Sequence, residues 1–150
     1  MTADIIGGVN HILFHISIFY FRIRVKKNET GGIFMTGNDI QTILDCKVFA
    51  GKELLNREVH TACGSDMMSD VLAYVKDQSI LLTGLVNAQV IRTADMMDML
   101  CVIFVRGKEP SADMIELANE RGISLMSTEH RMFTACGLLW ENGLGGGNND

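Results

Sequence analysis

The stretch SILLTGLVNAQVIRTADMMDMLCVIFVRGKEP, residues 79–110, decides the fold. It holds two short apolar runs, 80–83 and 101–105. Each stops abruptly, the first at Thr83-Gly84-Leu85-Val86-Asn87 and the second at Arg106-Gly107-Lys108. Apolar runs this short read as strands buried on both faces, whereas residues 87–97 between them carry apolar side chains at helical spacing. The stretch is a β-α-β unit.

Toward the C-terminus the same grammar repeats. Pro110-Ser111 opens a helix with Met114, Ile115 and Ala118 facing inward, Arg121 near its end and Gly122 as its stop signal. A strand is predicted over 123–126. A last helix is predicted over 129–141, capped by Ser127-Thr128, with Met132, Phe133, Cys136 and Trp140 as its apolar stripe. Residues 144–150, mostly glycine and asparagine, have nothing to pack and are expected to form a disordered tail.

Toward the N-terminus, Ser65 is placed to cap a helix over 66–76, with Met68, Val71, Leu72 and Val75 buried and Asp66 and Asp70 in the first turn, where negative charge suits the helix dipole. Residues 58–63 alternate as a strand, and 47–50 read as another. Thr36, with Asp39 three residues on, has the spacing of a capping box for a short helix ending near Asp45. Strands joined by helices of this length imply right-handed crossovers and a single three-layer α/β domain, its sheet mostly parallel with helices on both faces.

Composition limits the function. The chain has 150 residues, 47% of them hydrophobic, and a net charge of -5, enough apolar material for one domain with its own core. Residues 35–150 hold nine basic against sixteen acidic side chains, which disfavours a phosphate-backbone partner, so no nucleic acid is expected. The four cysteines, Cys46, Cys63, Cys101 and Cys136, form no C-x-x-C pair and read as buried free thiols of a reducing cytoplasm. The methionines, Met67, Met68, Met96, Met97 and Met99 among them, read as core filler and interface.

The first 34 residues differ in kind. The apolar run 12–21 is too short for a membrane span, which needs about 20 residues, and its positive charges follow it where a signal peptide would carry them in front; no membrane partner is expected. Gly31-Gly32 is encoded by GGN-GGN, compatible with a ribosome-binding sequence ahead of Met35, so residues 1–34 read as a doubtful extension from upstream translation and Met35 as the true start. An intact mass of the native protein that includes them refutes this reading. His11 and His15 share a helical face there but make too small a ligand set for a metal site.

In mostly parallel sheets ligands sit at the carboxyl ends of the strands. Here those ends carry Gly64, Ser65, Thr83, Gly84, Asn87, Arg106, Gly107, Lys108 and Thr128. Glycine lets a ligand approach the backbone, Arg106 and Lys108 bring positive charge, and helix N-termini bring free N–H groups, a combination that suits an anionic or nucleotide-like ligand. Recognised nucleotide motifs are missing: a P-loop needs Gly at 102 and Ser or Thr at 109, where Val102 and Glu109 stand, and no G-x-G-x-x-G follows a strand. Catalytic constellations are missing as well. His60 and Cys63 would diverge on a strand, and His130 has no nucleophile or paired acid near it in sequence. No enzyme, metal or cofactor is expected.

Several segments carry a resemblance: Gly64-Ser65-Asp66-Met67-Met68-Ser69-Asp70-Val71-Leu72-Ala73-Tyr74, Leu81-Leu82-Thr83-Gly84, Phe104-Val105-Arg106-Gly107-Lys108-Glu109-Pro110, Ile115-Glu116-Leu117-Ala118, Gly122-Ile123 and Met132-Phe133-Thr134-Ala135-Cys136-Gly137-Leu138-Leu139. In order and spacing they resemble the DRTGG domain, over residues 36–143. The resemblance implies a fold similar to the N-terminal domain of HPr kinase and a role like that of the regulatory domains of phosphotransacetylases and CBS-containing pyrophosphatases. It equally implies kinship with small stand-alone proteins of anaerobic bacteria associated with iron-only hydrogenases. The chain departs from the naming motif: Leu85-Val86 stands where the family has Asp-Arg, and Arg106-Gly107-Lys108 where it has Thr-Gly-Gly.

The expectation is therefore a non-catalytic cytoplasmic regulatory or sensory domain, a homodimer, binding a nucleotide or other small anion at the strand ends. Arg106 and Lys108 are expected to face that ligand. The alternative is a structural interaction subunit of a hydrogenase or other redox-enzyme partner, with no small-molecule ligand.

Overall fold

The computed structural model describes residues 26–27, 33–75 and 78–147. The chain divides into two units, Met1–Ile33 and Phe34–Asp150. In the first, strand β1 (Lys26–Lys27) is described; the rest of the expected extension lies almost wholly outside the described residues.

The second unit takes in all but the first residue of β2 (Ile33–Thr36) and continues through α1 (Gly37–Ile43), β3 (Lys47–Ala50), a 3-10 turn (Lys52–Leu54), β4 (Glu58–Val59), β5 (Thr61–Gly64), α2 (Met68–Tyr74), β6 (Ser79–Thr83), α3 (Ala88–Met96), β7 (Cys101–Phe104), α4 (Ala112–Arg121), β8 (Ser124–Ser127) and α5 (Met132–Glu141). Its five-stranded sheet has the order β3-β8-β7-β6-β5. From β5 to β8 the strands are parallel neighbours, with Ala62 opposite Ile80, Leu81 opposite Val102 and Val102 opposite Leu125. β3 closes the far edge antiparallel to β8, and β2 pairs with β4 as a separate antiparallel ribbon.

Because β5 to β8 follow one another in space as in sequence, right-handed crossovers place α2, α3 and α4 on one face of the sheet. Leu81, Val102, Phe104 and Leu125 point to that face and pack with Val71, Val90, Ile91, Met114 and Ala118. The alternate residues Ile80, Leu82, Cys101, Ile103 and Met126 point the other way, into a second core with Ile40, Leu44, Ala135 and Leu139 of α1 and α5. Every residue of β6 and β7 is buried. At about 1.5–3 kcal/mol per buried Leu, Ile, Val or Phe side chain, these two strands anchor both cores, and the three-layer α/β architecture expected from the sequence follows.

Local caps explain several helix starts. Thr36 Oγ1 accepts from Asp39 N–H while Asp39 Oδ2 accepts from Thr36 N–H (2.9 Å), a complete capping box. Asn87 and Ser111 cap α3 and α4 through Val90 N–H and Met114 N–H. Gly122, with φ at 66°, ends α4 in the left-handed conformation.

Four expectations are corrected. The strand expected over 58–63 is broken at His60, and its halves β4 and β5 join different pairings. The helix expected over 66–76 starts only at Met68, uncapped by any side chain, because Ser65 Oγ accepts Met67 N–H in a local turn and Asp66 is drawn away; Leu72 is exposed. The last helix starts at Met132, because the carbonyls of Thr128 and His130 hold the neighbouring turn and keep 128–131 out of the helix. Its buried face is Ala135 and Leu139, while Phe133 and Trp140 point outward. Leu144 and Gly145, expected in the tail, are packed: Leu144 is buried and Gly145 O accepts from Ala62 N–H (3.0 Å) along the edge of β5. Residues 148–150 lie outside the described residues.

Candidate functional site

Three parallel strand ends meet around one glycine. Past β5, Ser65 N–H donates to Leu82 O (3.1 Å), and the turn at Ser65 swings the next side chain toward β6. The Asp66 carboxylate accepts from Gly84 N–H at 2.6 Å and from Thr83 Oγ1 at 3.0 Å. Thr83 Oγ1 in turn accepts from Leu85 N–H at 3.1 Å.

From the other side, Val105 N–H donates to Thr83 O and the chain then reverses through Arg106 and Gly107, at φ 63° and 64°. A left-handed arginine costs about 1–2 kcal/mol. Two hydrogen bonds hold it there, Arg106 N–H to His130 O (2.8 Å) and Gly107 N–H to Thr128 O (2.9 Å). The turn lays the Arg106 guanidinium against Gly84, where a Cβ would collide with Nη2 and come within 3.0 Å of Cζ. Lys108 Nζ donates to Gly84 O. Gly84 is thus bracketed by a carboxylate on its N–H, an ammonium on its carbonyl and a guanidinium over its Cα, an approach that only glycine permits.

The electrostatics follow from this packing. The Gly84 N–H above all holds the Asp66 carboxyl below its usual value; desolvation, the next largest influence, opposes it, and the Thr83 hydroxyl and the charges of Arg106 and Lys108 add to the lowering. Backbone donor, hydroxyl and two cations thus converge on a point where negative charge is stable. In this structure the chain's own Asp66 stands at that point.

Of the residues expected at the strand ends, Thr83, Gly84, Arg106 and Lys108 come together here. Asn87 is occupied as the cap of α3, and Ser65 as the hinge of its own turn. Gly107 sits under the Glu129 carboxylate, whose Oε2 would lie 2.6 Å from a Cβ there. Thr128 is buried and turned into the fold, donating to Leu44 O at 2.6 Å, so it does not line the cluster. Gly64 faces elsewhere, onto an open cleft of about 280 Å3 between the β5 edge and α5, walled also by Leu82, Cys136, Leu139 and Trp140. Asp66 is the residue that the strand-end reading missed. The pattern that points to it is a short polar residue just past one parallel strand, beside a Thr-Gly ending the next.

Among the described residues no nucleophile is poised nearby. Burial pushes the Cys46 thiol up to about 12 and raises Cys101, Cys63 and Cys136 as well, so all four stay protonated at neutral pH. His60 meets Glu58 at 3.4 Å on the exposed surface. Among the described residues no group of three or more His, Cys, Asp or Glu side chains could hold a metal ion, and no helix is long and apolar enough to cross a membrane.

Comparison with known proteins gives one family and a structural neighbour. The DRTGG domain model matches residues 39–141. The fold is similar to the crystal structure of the CBS and DRTGG domains of the regulatory region of Clostridium perfringens pyrophosphatase, complexed with the activator diadenosine tetraphosphate. The TM-score is 0.57 at 20% sequence identity, over 71% of this chain and 46% of that one, so the chain spans less than half of that neighbour's length. None of the curated proteins matches the sequence significantly.

Proposed function

This chain belongs to the DRTGG domain family, and on that premise we propose that it is a non-catalytic cytoplasmic regulatory domain, homodimeric, which takes a small anionic ligand of the nucleotide class at the cluster around Gly84. The observation that carries this reading is the Asp66 carboxylate, held at 2.6 Å by a backbone N–H and at 3.0 Å by a hydroxyl, with Arg106 and Lys108 alongside. A site that stabilises an internal carboxylate is built to stabilise a phosphate or carboxylate from outside. The ligand displaces Asp66 and inherits its donors, with Arg106 as a bidentate partner and Lys108 as a point charge. The nucleotide activator named for the Clostridium pyrophosphatase supports the ligand class; at 20% identity it says nothing of the position.

Thermal unfolding in the presence of AMP, ADP, ATP, diadenosine tetraphosphate and inorganic phosphate tests the reading. Binding linkage requires a Tm that climbs with ligand concentration. The climb should be steeper in Asp66→Ala, where the internal competitor is gone, and absent in Arg106→Ala/Lys108→Ala, whose own stability should change little because exposed cations contribute about 0–1 kcal/mol. If no compound stabilises either the parent or Asp66→Ala, the site binds no such anion and the reading is abandoned. The same holds if the double variant binds as well as the parent at low salt.

A further inference from the structure

We propose that the cleft between the β5 edge and α5 takes the base of the nucleotide whose phosphate is held at Gly84; the proposal rests on the anion reading above and gives that ligand its second half. The cleft is about 280 Å3, walled by Leu82, Leu139 and Leu144 with Trp140 beside them, and among the residues lining it none is charged. Ligand pockets run from about 300 to 1,000 Å3, so this one has room for a single ring system and leaves a sugar and phosphate outside.

The cleft leads to the cluster. Leu82 stands in its wall and Gly84 two residues further along the chain, about 7 Å at 3.3 Å per residue. Gly64 stands in its other wall, with Asp66 two residues beyond. Cleft and cation also share one side of the sheet. Leu82 points into the core beneath α5, and by the period of two a side chain on Gly84 would point the same way. The Arg106 guanidinium occupies that place. One sugar spans the step from Leu82 to Gly84, so a ring seated in the cleft brings its own phosphate to Arg106.

The two walls suit a base. Cys136, Leu139 and Trp140, three and four residues apart, share the side of α5 that lines the cleft. The six-membered ring of Trp140 rests beside Gly145, where a Cβ would stand 3.6 Å from Cζ3, and the residue is 59% exposed, which leaves indole surface for stacking. Opposite, β5 is the edge of the sheet. Ser65 N–H turns inward to Leu82 O and Ala62 N–H outward to Gly145 O, so the alternation of the ladder turns both the N–H and the C=O of Gly64 outward. Neither has a backbone partner among the described residues. A Cβ at position 64 would come within 2.8 Å of Cys136 Sγ, so this edge stays bare backbone. A donor beside an acceptor matches the hydrogen-bonding edge of a base.

Trp140 is the single tryptophan of the chain and reports on the cleft directly. Fluorescence titration of the full chain with adenosine, guanosine, cytidine, AMP and inorganic phosphate, excited where the bases do not absorb, tests the assignment. A nucleoside should quench Trp140 saturably, beyond its effect on free tryptophan amide, and AMP should bind on the order of tenfold more tightly than adenosine. Arg106→Ala/Lys108→Ala should reduce AMP to the affinity of adenosine, leaving a weak quenching without a rise in Tm. In equilibrium dialysis Trp140→Ala should lose adenosine affinity on the order of tenfold, while its Tm still climbs with phosphate. If phosphate stabilises the parent but nucleosides neither quench nor bind, and AMP does no better than phosphate, the cleft assignment is overturned and the anion reading stands. If nucleosides bind but the double variant keeps the full AMP affinity, the cleft holds a ring and the anion reading falls. Silence from every compound overturns both.

Discussion

Thr128→Val separates a residue of the site from a residue of the frame. Thr128 Oγ1 donates to Leu44 O at 2.6 Å and accepts from His130 N–H at 3.3 Å, and the side chain is buried. Leu44 closes the C-terminal end of α1, so this one hydroxyl ties α1 to the loop between β8 and α5. Valine keeps the volume and removes the donor. The lost hydrogen bond contributes about 1 kcal/mol, and the carbonyl stranded in an apolar core adds about 1–3 kcal/mol of desolvation, for a total of roughly 2–4 kcal/mol. With a urea slope of about 1–3 kcal/mol/M, the denaturation midpoint should drop by about 1 M. Thr128→Ser keeps the hydroxyl and gives up one methyl, so it should lose only about 0.8 kcal/mol. Anion affinity should be the same in both variants as in the parent. If Thr128→Val unfolds within about 0.5 kcal/mol of the parent but binds anions less well, the hydroxyl serves the ligand and its placement in the frame is wrong.

Two further predictions concern the backbone and acid stability. Asp66 has its folded pKa below the ordinary 3.8, so its contribution is fully present above that value and is lost as pH falls through the lower folded value; Asp66→Asn should flatten the acid limb of stability against pH below about 4, measured by urea midpoints. A parent and variant with parallel acid limbs would mean that the carboxylate gains nothing from Gly84 and Thr83. Gly51 holds φ at 65° with the Cα of Ser124 only 2.9 Å from where a Cβ would sit, so Gly51→Ala must shift backbone as well as adopt a strained conformation, and should lose at least about 1–2 kcal/mol in the same assay.

The central β-α-β unit was legible because its strands are buried on both faces: with no polar side to show, Ile80 to Thr83 and Cys101 to Phe104 appear as bare apolar runs, and the topology leaves them little choice of place. The capping box at Thr36 and the helix start at Ser111 were legible because donor and acceptor lie three residues apart; the cap at Asn87 was not read, that residue being expected at the ligand instead. Asp66 was not. Its partners are 17 and 18 residues away on the next strand, and in a local reading an aspartate just after Gly64-Ser65 fits a helix first turn equally well. Thr128 failed for the same reason, its acceptor being 84 residues back. On α5, Phe133 and Trp140 looked like a core stripe because hydrophobicity was weighed without shape. The face that packs on the sheet is the one with Ala135, which lets the helix approach closely, and the larger aromatic face is left outside.

The departures from the family's naming motif take on a different meaning in three dimensions. Leu85-Val86 supplies neither carboxylate nor guanidinium after β6, yet both charges are present at that strand end, the carboxylate from Asp66 after β5 and the guanidinium from Arg106 after β7. Adjacent parallel strands lie about 4.8 Å apart, so a side chain just past one strand end reaches the backbone of the next, and a charge pair local in one sequence can be assembled from the two flanking strands in another. On the proposed reading, Asp66 competes for the donors a ligand would use, so an anion should displace it only by engaging Arg106 and Lys108 better. A single carboxylate oxygen accepts from both Gly84 N–H and Thr83 Oγ1 here, whereas a phosphate offers oxygens to those donors and to both cations at once, so the proposed site should take multivalent anions in preference to simple carboxylates, which the same thermal-unfolding series checks with phosphate against acetate.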